Sequence, residues 1–415
     1  MRVYMVGGAV RDRLMGLEVR DQDWVVVGAT SDELVSSGYV RVGADFPVFL
    51  HPTTKQEYAL ARTERKTAPG YRGFVVHADK EVTLEEDLSR RDLTMNAIAM
   101  DQSGVLTDPF GGQKDIELKV LRHVSDAFKE DPVRVLRVAR FAARFGDFTV
   151  ADETMALMKE MVNCGEVDSL VAERVWKELE KGLMESAPWR MLEVLQECGA
   201  LRRVMPELDA LVGVCQPILH HPENCTFEHI KLVLKEAVKA NADVGVRFAC
   251  LVHDLGKGVT PKDALPRHIG HEAASAKMVA EVVKRMKVPS ELGTLAGLVA
   301  QEHTNVHASG NLNGKAALRL IERCDGIRRP DRFRNILQSC ELDARGRLGL
   351  SERAYPQRAR LVVALEAALK TDVASVANRM MALTGRGEDI GGAIRHARGE
   401  SVEEALKAFD AAESG

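Results

Sequence analysis

The stretch that decides the N-terminal fold is Val6-Gly7-Gly8-Ala9-Val10-Arg11-Asp12, followed closely by Asp21-Gln22-Asp23 and the strand-like run 24–28. Gly7 and Gly8 have no Cβ, so their backbone can approach a triphosphate and present N–H groups to it. Alternation along a strand would place Asp21 and Asp23 on one face, where two carboxylates can hold divalent metal ions. Each feature by itself also fits an ordinary turn or surface pattern. Together with Arg11 they predict a site for phosphoryl transfer.

The composition is that of a water-soluble globular protein. The 415 residues allow two to four domains, with 28% charged and 45% hydrophobic residues. No apolar run approaches the roughly 20 residues that a membrane span needs, so we expect no membrane partner. The seven cysteines are scattered and form no C-x-x-C motif, which favours a reduced, cytoplasmic setting. A net charge of −4 leaves nucleic-acid binding to local basic faces.

Hydrophobic periodicity changes character along the chain. Short β-rich segments are predicted at 3–6, 24–27, 48–50, 58–62, 74–76 and 105–107. From Asp131 to the end the pattern is helical, with helices predicted at 133–144, 153–162, 172–184, 189–197 and 401–411. We therefore predict an α+β protein, in which a head with a mixed sheet and helices precedes an all-α neck, body and tail. Residues 220–224 have the composition of a linker.

The helix predicted at 133–144 carries a stripe of basic residues. Arg134, Arg137, Arg140 and Arg144 fall within an arc of roughly 120°, and small apolar residues occupy another face. An arginine stripe with Asp131 at its N-terminal end suits a nucleotide. The alternative is that Asp131 is an ordinary N-cap and that the arginines form a solvated face.

Further motifs follow the same order as in a known family. They are the basic pair and predicted helix of Arg90-Arg91-Asp92-Leu93-Thr94-Met95-Asn96-Ala97, the turn Asp108-Pro109-Phe110-Gly111-Gly112 and the run EDPVRVLRVARF at 130–141. With the opening glycines and DxD, this set resembles the class II tRNA nucleotidyltransferases, the CCA-adding enzymes of the polymerase β-like nucleotidyltransferase superfamily. The resemblance covers at least residues 1–185. It implies that CTP and ATP are added stepwise to the 3′ end of tRNA without a nucleic-acid template, with release of pyrophosphate.

The resemblance also implies roles for individual residues. Asp21 and Asp23 would be catalytic and bind Mg²⁺, one ion activating the primer 3′-OH and the other neutralising the leaving pyrophosphate. Asp92 and Asn96 would support the pocket. The implied nucleotide-binding residues for ATP and CTP are Gly8, Arg11, Arg91, Asp131, Arg134, Arg137 and Arg140.

Hydrogen-bond chemistry explains how an Asp–Arg pair could select bases. Cytosine and adenine present an amino donor beside a ring-nitrogen acceptor, which a carboxylate and a guanidinium can complement. Uracil and guanine present the inverse pattern and would leave partners unpaired. The charged segment 62–66 enters a predicted mobile loop, which resembles the segment that full CCA enzymes use to switch from C to A. It favours addition of both C and A over addition of CC alone.

A second motif lies in the helical body. Cys250-Leu251-Val252-His253-Asp254-Leu255-Gly256-Lys257-Gly258 resembles the HD phosphohydrolase signature, and with it the chain resembles the bacterial multifunctional CCA proteins along most of its length. His229 and Asp343 fit the remaining metal ligands, with Ni²⁺ or another divalent transition metal as candidates. His268, His271 and His303 are further candidate ligands or phosphate contacts. Lone histidines are more often structural, which is the alternative.

The HD resemblance implies 2′,3′-cyclic phosphodiesterase and phosphatase activity. The multifunctional members often have an acidic residue after the histidine at 303, where this chain has Thr304. We therefore expect a less efficient hydrolase. The predicted domains are a nucleotidyltransferase head at 1–125, a helical neck at 126–215, an HD-type domain at 226–345 and a helical tail at 346–415.

Three other functions compete with this interpretation. A bacterial poly(A) polymerase shares the head motifs, but no basic segment precedes Val6 or ends this sequence. An enzyme that is chiefly an HD phosphohydrolase would not need an intact DxD with its arginines. A tRNA-binding scaffold would leave both predicted metal sites unexplained. We expect a CCA-adding enzyme that acts as a monomer or homodimer.

Overall fold

The protein is described by a computed structural model that covers residues 1–19, 21–42, 48–66, 74–77, 79–384 and 390–413. The chain divides into two compact units, Met1–Val204 and Met205–Gly415. The first unit contains a mixed β-sheet with helices, and the second is helical. The predicted α+β class is confirmed.

A seven-stranded sheet forms the centre of the first unit. Its strand order is β3-β4-β5-β2-β1-β8-β9, in which only β2 and β5 pair in parallel. Two further two-stranded ladders join β6 with β7 and β10 with β11. The strands are β1 (Arg2–Val6), β2 (Asp23–Val27), β3 (Val40–Val42), β4 (Val48–Leu50), β5 (Glu57–Leu60), β6 (Thr63–Lys66), β7 (Phe74–His77), β8 (Ala99–Asp101), β9 (Leu106–Thr107), β10 (Val120–Leu121) and β11 (Thr149–Val150).

Strand β2 holds its register because both of its faces are buried. Val25 and Val27 pack with Val6 on one face, while Val26 packs with Phe49 on the other. Full burial of each valine contributes about 1.5 kcal/mol or more, and a shift by one residue would exchange the two faces. The strand therefore presents its first residue, Asp23, at a defined place.

Helices cover the sheet and continue beyond it in the first unit. Helix α5 packs against α7 and α8, which extends the core away from the sheet. Short 3-10 helices occur at Thr94–Asn96, Asp126–Glu130 and Glu166–Ser169. The α-helices are α1 (Gly8–Leu14), α2 (Ser31–Ser36), α3 (Leu84–Ser89), α4 (Gly112–Leu118), α5 (Val133–Arg144), α6 (Asp152–Asn163), α7 (Ala172–Met184), α8 (Pro188–Glu197) and α9 (Leu201–Val204).

The second unit is built from helices around α12, which packs against α11, α14 and α16. Two 3-10 helices, Leu255–Val259 and Ala308–Asn311, interrupt the series. Within the described ranges, none of the helices is long and apolar enough to span a membrane. The helices are α10 (Pro206–Asp209), α11 (Thr226–Lys239), α12 (Val244–Val252), α13 (His271–Met286), α14 (Ser290–His307), α15 (Gly314–Arg323), α16 (Pro330–Arg345), α17 (Pro356–Lys370), α18 (Val373–Thr384) and α19 (Ile390–Glu413).

Three local predictions differ from the structure. Residues 90–97 were expected to continue as a helix, but only Thr94–Asn96 forms a 3-10 turn, because the Asp92 carboxylate accepts from the Leu93 N–H and the Asn96 amide instead. The segment 62–66 was expected to open a loop, but Thr63–Lys66 is strand β6, paired with β7. The loop residues 67–73 lie outside the described residues.

The third difference concerns the helical part of the chain. A purely helical pattern was expected after Asp131, but β11 lies at Thr149–Val150 and pairs in parallel with β10. Two residues carry too little periodicity to be recognised from sequence, and their partner strand lies far away along the chain. Residues 220–224 belong to the second unit.

Candidate functional site

A cleft of about 1530 Å³ opens in the first unit. The turn after β1, the start of β2, the segment before Thr94 and helices α5 and α7 contribute to its walls. The cleft brings together every residue that the sequence predicted for catalysis and nucleotide binding: Gly8, Arg11, Asp21, Asp23, Arg91, Asp131, Arg134, Arg137 and Arg140.

The glycine pair allows two arginines to approach the backbone. Gly7 has a φ of +69°, a conformation that L side chains rarely adopt, and a Cβ there would lie 2.9 Å from Arg91 Nη1. A Cβ at Gly8 would lie 3.4 Å from Arg11 Nη2. Backbone conformation therefore favours glycine at position 7, where a side chain would also displace Arg91, whereas a Cβ at Gly8 would make only an ordinary contact with Arg11.

Arg11 is buried and held rigidly at the bottom of this turn. Its Nη1 donates to Asn96 Oδ1 at 2.6 Å, and its Nε and Nη2 donate to Asp12 Oδ1 at 2.9 and 2.7 Å. Its guanidinium carbon lies 5.3 Å from the ring centroids of Phe141 and Phe145. Burial lowers the pKa of Arg11, although Asp12 opposes this. The result is a preorganised cation facing the cleft.

The two candidate metal-binding aspartates lie at the N-terminal end of β2, an inner strand of the sheet. Asp23 begins β2 and Asp21 precedes the strand, so strand alternation does not by itself fix the direction of Asp21. Both are exposed to the cleft. The parallel register places Glu57 of β5 beside Asp23, and Glu57 also lines the cleft. Carboxylate oxygens are the ligands that Mg²⁺ prefers, so this group fits the predicted metal.

Sequence reasoning missed Glu57. Its only signal was an acidic residue at the start of a predicted strand. The pairing of β5 with β2 was needed to place it beside the aspartates.

The basic pair before Asp92 lines the cleft and is anchored by a buried carboxylate. Arg90 Nη2 lies 2.6 Å from Asp87 Oδ1, and Arg91 Nη2 lies 3.1 Å from Asp87 Oδ2. Burial would raise the pKa of Asp87, but the two guanidinium groups outweigh it, and the pKa lies below its ordinary value. Arg90 also donates to the Arg62 carbonyl at 2.9 Å. The pair is thus fixed between α3 and the end of β5.

Asp92 connects this segment to helix α5. Arg137 Nε donates to Asp92 Oδ2 at 2.7 Å, and Asn96 Nδ2 donates to Asp92 Oδ1 at 2.9 Å. Burial would raise the pKa of Asp92, but Arg137 and Asn96 hold it well below its ordinary value. The same ion pair raises the pKa of Arg137. Asp92 and Asn96 therefore hold the guanidinium groups of Arg137 and Arg11 in place at the cleft.

The arginine stripe of α5 is not a solvated face. Arg134 and Arg140 are only 7% and 8% exposed. Arg134 donates to the carbonyls of Ala127 and Arg90 at 2.7 and 2.6 Å, whereas Arg140 Nε donates to Glu178 at 2.7 Å. These two arginines line the cleft and also join α5 by hydrogen bonds to the segments around Arg90 and Ala127 and to Glu178 of α7.

The predicted base-reading carboxylate has an unexpected partner. Asp131 forms a bidentate ion pair with Arg174 of α7. Arg174 Nη1 donates to Oδ1 at 3.1 Å, and Nη2 donates to Oδ2 at 2.7 Å. Asp131 Oδ1 also accepts from the Val133 N–H at 3.1 Å, although the N-cap of α5 is Pro132 and not Asp131 as the alternative interpretation had it. The sequence had grouped Asp131 with Arg134, Arg137 and Arg140 of α5, without naming an ion-pair partner. The long separation between Asp131 and Arg174 hid the observed partner.

The second unit brings together the four predicted HD ligands. His229 Nε2 lies 2.9 Å from Asp343 Oδ1, and His253 Nε2 lies 3.7 Å from the same oxygen. His253 Nε2 also lies 3.3 Å from Asp254 Oδ2. All four side chains are buried, on α11, the end of α12 and α16.

Hydrogen bonding prepares this cluster for a cation. His253 Nδ1 donates to the Cys250 carbonyl at 2.9 Å, which turns Nε2 toward the carboxylates. His253 Nε2 and both Asp254 oxygens are buried, and Asp254 pairs with cationic or imidazole groups, Lys257 Nζ at 2.7 Å from Oδ2 and His271 Nε2 at 3.4 Å from Oδ1 among them. Burial would lower the pKa of His253, but Asp254 and Asp343 raise it to about 10. A divalent cation would compete for those carboxylates, and the nitrogen and oxygen donors suit a transition metal.

Two of the three additional histidines join the same cluster. His271 Nε2 lies 3.4 Å from Asp254 Oδ1 and 3.2 Å from His303 Nε2. Burial lowers the pKa of His303 to about 3, which favours its neutral, metal-binding form. Asp254, His271 and His303 form a second group whose donor atoms lie within 4.8 Å of one another. His268 instead bonds to Thr260 and to the Cys215 carbonyl.

Two charged residues, Glu272 and Lys257, lie next to this cluster. Thr304 donates to Glu272 Oε1 at 2.8 Å, and Glu272 lies 3.5 Å from His271 Nδ1. An acidic side chain therefore stands beside His271, although residue 304 itself is not acidic. Lys257 is buried with Nζ 2.7 Å from Asp254 Oδ2. In the sequence, Lys257 stands out only as part of the HD motif at 250–258. The predicted loss of hydrolase efficiency stays a prediction.

Comparison with known proteins places the chain in a family. The multifunctional CCA protein of Paracidovorax citrulli is 58% identical over 412 residues, which cover 98% of both chains. The chain belongs to the multifunctional CCA protein family. Another member, from Variovorax paradoxus, is 56% identical and covers 97% of this chain and 99% of its own length. The predicted resemblance is confirmed.

Three family models match successive parts of this multifunctional CCA family member. They are the poly A polymerase head domain at 3–122, the probable RNA and SrmB-binding site of polymerase A at 147–212 and the HD domain at 226–364. Nucleotidyltransferase and HD domains generally use divalent metals, which agrees with the clusters of possible metal ligands in the second unit.

Solved structures share the fold. The Bacillus stearothermophilus CCA-adding enzyme in complex with CTP has a TM-score of 0.64 and 21% identity, covering 99% of this chain and 94% of its own. The Thermotoga maritima CCA-adding enzyme complexed with tRNA has a TM-score of 0.61 and 20% identity, covering 98% and 91%. At these identities the likeness shows the fold.

Proposed function

We propose that the protein adds C, C and A stepwise to the 3′ end of tRNA, using CTP and ATP without a nucleic-acid template and releasing pyrophosphate. One observation carries the proposal. A single cleft of a multifunctional CCA family member gathers the glycine turn, the DxD carboxylates and the arginines of α5.

In this proposal Asp21 and Asp23 hold Mg²⁺, with Glu57 as a neighbouring carboxylate. Bound Mg²⁺ supplies activation of the primer 3′-OH and neutralises charge on the leaving pyrophosphate. Gly8 offers its backbone, and Arg11 and Arg91 offer guanidinium groups, to the triphosphate. Because Arg11 is already fixed by Asp12 and Asn96, little reorganisation accompanies charge development at the phosphates.

Base selection is assigned to the N-terminal end of α5. The Asp131 carboxylate accepts from the amino group of cytosine or adenine, and guanidinium N–H groups donate to the ring nitrogen. Arg174 holds the carboxylate from the opposite side. Arg134, Arg137 and Arg140 complete a positive wall for phosphates. Uracil or guanine would leave groups unpaired, at about 1–3 kcal/mol each.

The second unit is proposed to act as a 2′,3′-cyclic phosphodiesterase and phosphatase. His229, His253, Asp254 and Asp343 would hold a divalent metal, with Ni²⁺ or another transition metal as the candidates. The buried convergence of imidazole nitrogens and carboxylate oxygens within 4.8 Å of one another supports this assignment. Lys257, beside Asp254, supplies a positive charge for a phosphate oxygen.

The same proposal includes the domain division and the place of action. We place the nucleotidyltransferase head at 1–125, the neck at 126–215, the HD-type domain at 226–345 and the tail at 346–415. The proposed substrates, tRNA, CTP and ATP, place the protein in the cytoplasm.

Separate substitutions test the two assignments. Wild type, Asp23→Asn and Asp254→Asn would be assayed on tRNA lacking CCA and on RNA ending in a 2′,3′-cyclic phosphate. We expect Asp23→Asn to lose nucleotide addition and keep hydrolysis, and Asp254→Asn to do the reverse. Each retained activity shows that the variant is folded. Addition that survives in Asp23→Asn would contradict the head assignment, and repeated A addition would indicate a poly(A) polymerase.

A further inference from the structure

Two cysteines face each other at the beginning of the second unit. Cys215 and Cys225 are opposite residues of an antiparallel β-bridge at the base of a hairpin. Backbone hydrogen bonds flank this pair on both sides and do not join the two cysteines themselves, which makes it a non-hydrogen-bonded pair. The flanking bonds run from the Thr226 N–H to the Val214 carbonyl at 3.0 Å and from the Gln216 N–H to the Asn224 carbonyl at 3.1 Å.

The backbone of such a pair meets the demands of a disulfide. Opposite residues in a non-hydrogen-bonded pair have Cα atoms about 4.5 Å apart and side chains on the same face. Disulfides join cysteines whose Cα atoms are about 4.4–6.8 Å apart. The two strands therefore need no large movement to allow a bond between Cys215 and Cys225.

Both thiols are free and accessible. Cys215 is exposed and Cys225 is partly exposed, whereas Cys198, Cys250 and Cys324 are buried. Their present contacts are weak, since Cys215 Sγ lies 3.8 Å from the Gly213 carbonyl and Cys225 Sγ lies 4.0 Å from the Leu211 carbonyl. Rotation of either side chain costs little hydrogen bonding.

We propose that Cys215 and Cys225 form a reversible disulfide with a small-molecule disulfide, such as oxidised glutathione, as the oxidant. The Cys215 thiolate attacks the oxidant, forms a mixed disulfide and expels one small thiolate. The Cys225 thiolate then attacks the Cys215 sulfur and expels the second. Two electrons pass from the protein to the oxidant, and the two protein protons end on the released thiols. An excess of small thiol reverses both steps.

The hairpin that this bond closes reaches the HD cluster. Glu223 Oε1 lies 3.2 Å from His229 Nδ1, and Gln216 Oε1 accepts from Lys257 Nζ at 2.7 Å. Lys257 in turn pairs with Asp254. A cross-link at the hairpin base limits the movement of these supporting residues when the unit begins to unfold. Its effect on hydrolysis rests on the proposed function of that cluster, but the formation of the bond does not.

Full-length protein incubated over a range of reduced-to-oxidised glutathione ratios tests the proposal. Thiols would be alkylated, and peptides identified by mass spectrometry. After cleavage next to Glu223, which separates the two cysteines, we expect a pair of peptides linked through Cys215 and Cys225, lighter by two hydrogen atoms than the two free peptides together and separated by reduction. Cys225→Ser should instead accumulate glutathione on Cys215. Cys164→Ser is the matched control, since Cys164 is an exposed thiol of the first unit, and it should keep the cross-link.

Two results would overturn the inference. Glutathione that stays on Cys215 of wild type as fully as on the Cys225→Ser variant would show that the pair does not close. We expect the oxidised form to keep its hydrolytic activity at higher temperature than the reduced form. Equal loss of this activity on heating in both forms would remove the connection to the HD cluster. Absence of hydrolysis in both forms would count against the proposed function alone, because the cross-link is read by mass.

Discussion

Replacement of Asp131 by Asn should weaken the choice between cytosine and uracil. The amide keeps one acceptor oxygen but loses the charge and gains an N–H₂ that can donate to the uracil carbonyl. Leaving a polar partner unsatisfied costs about 1–3 kcal/mol, and the Asp131 side chain is 23% exposed, so the lower part of that range applies. A loss of about 1–2 kcal/mol corresponds to a roughly five- to thirtyfold fall in kcat/KM for CTP. Addition of UTP should rise at the same time.

The assay is single-nucleotide addition to a tRNA transcript that ends at the discriminator base, with kcat/KM measured separately for CTP and UTP. Arg174→Ala is the matched control, because it removes the partner of Asp131 and leaves the carboxylate in place. It should lower addition of CTP and ATP together without admitting UTP. If Asp131→Asn kept the wild-type ratio of CTP to UTP addition, the assignment of base selection to this carboxylate would be refuted.

Three further predictions concern the turn, the buried ion pair and the HD cluster. Gly7→Ala should reduce CCA addition and spare hydrolysis, because a Cβ at a φ of +69° costs of the order of 1–3 kcal/mol and displaces Arg91. The control is Gly16→Ala, which has a similar φ of +68° but no neighbouring atoms within 4 Å of the added Cβ, and it should keep both activities. Because the pKa of Asp92 is depressed below 3.8 in the folded protein, its ion pair stabilises the fold above about that pH, and this stabilisation is lost as the pH falls through the folded-state pKa. The unfolding temperatures of wild type and Asp92→Asn should therefore differ between about pH 5 and 8 and converge in acid. A metal ion that binds the HD cluster must displace the proton of His253, whose pKa is raised to about 10. Titration of metal-stripped protein with a divalent metal should therefore release protons, and the metal affinity should rise from about pH 6 to 9. A metal affinity independent of pH would contradict this.

Local sequence patterns predicted the elements that carry strong periodicity. Helices α5 and α7 match the predicted ranges from end to end, because apolar residues recur with helical spacing and Asp131-Pro132 marks the start of α5. The cleft could also be predicted, since the resemblance supplied the order of its motifs and the fold brought them together.

Contacts between distant parts of the chain could not be predicted. The ion-pair partner of Asp131 is Arg174 of α7. Helical spacing could not indicate it, because spacing says nothing about which neighbouring helix faces a carboxylate. Glu57 became a candidate only when β5 was found beside β2. Strand β11 was missed because its pairing with β10, and not its two-residue pattern, makes it a strand.

The most direct test of the account measures nucleotide addition by the wild-type protein to three tRNA transcripts, ending at the discriminator base, at C and at CC. Each nucleoside triphosphate is supplied singly with Mg²⁺, and then CTP and ATP together. The account predicts C on the first two ends, A only on the third, no use of UTP or GTP, and a product that stops at CCA. Repeated A addition to any end, or no addition at all, would contradict it.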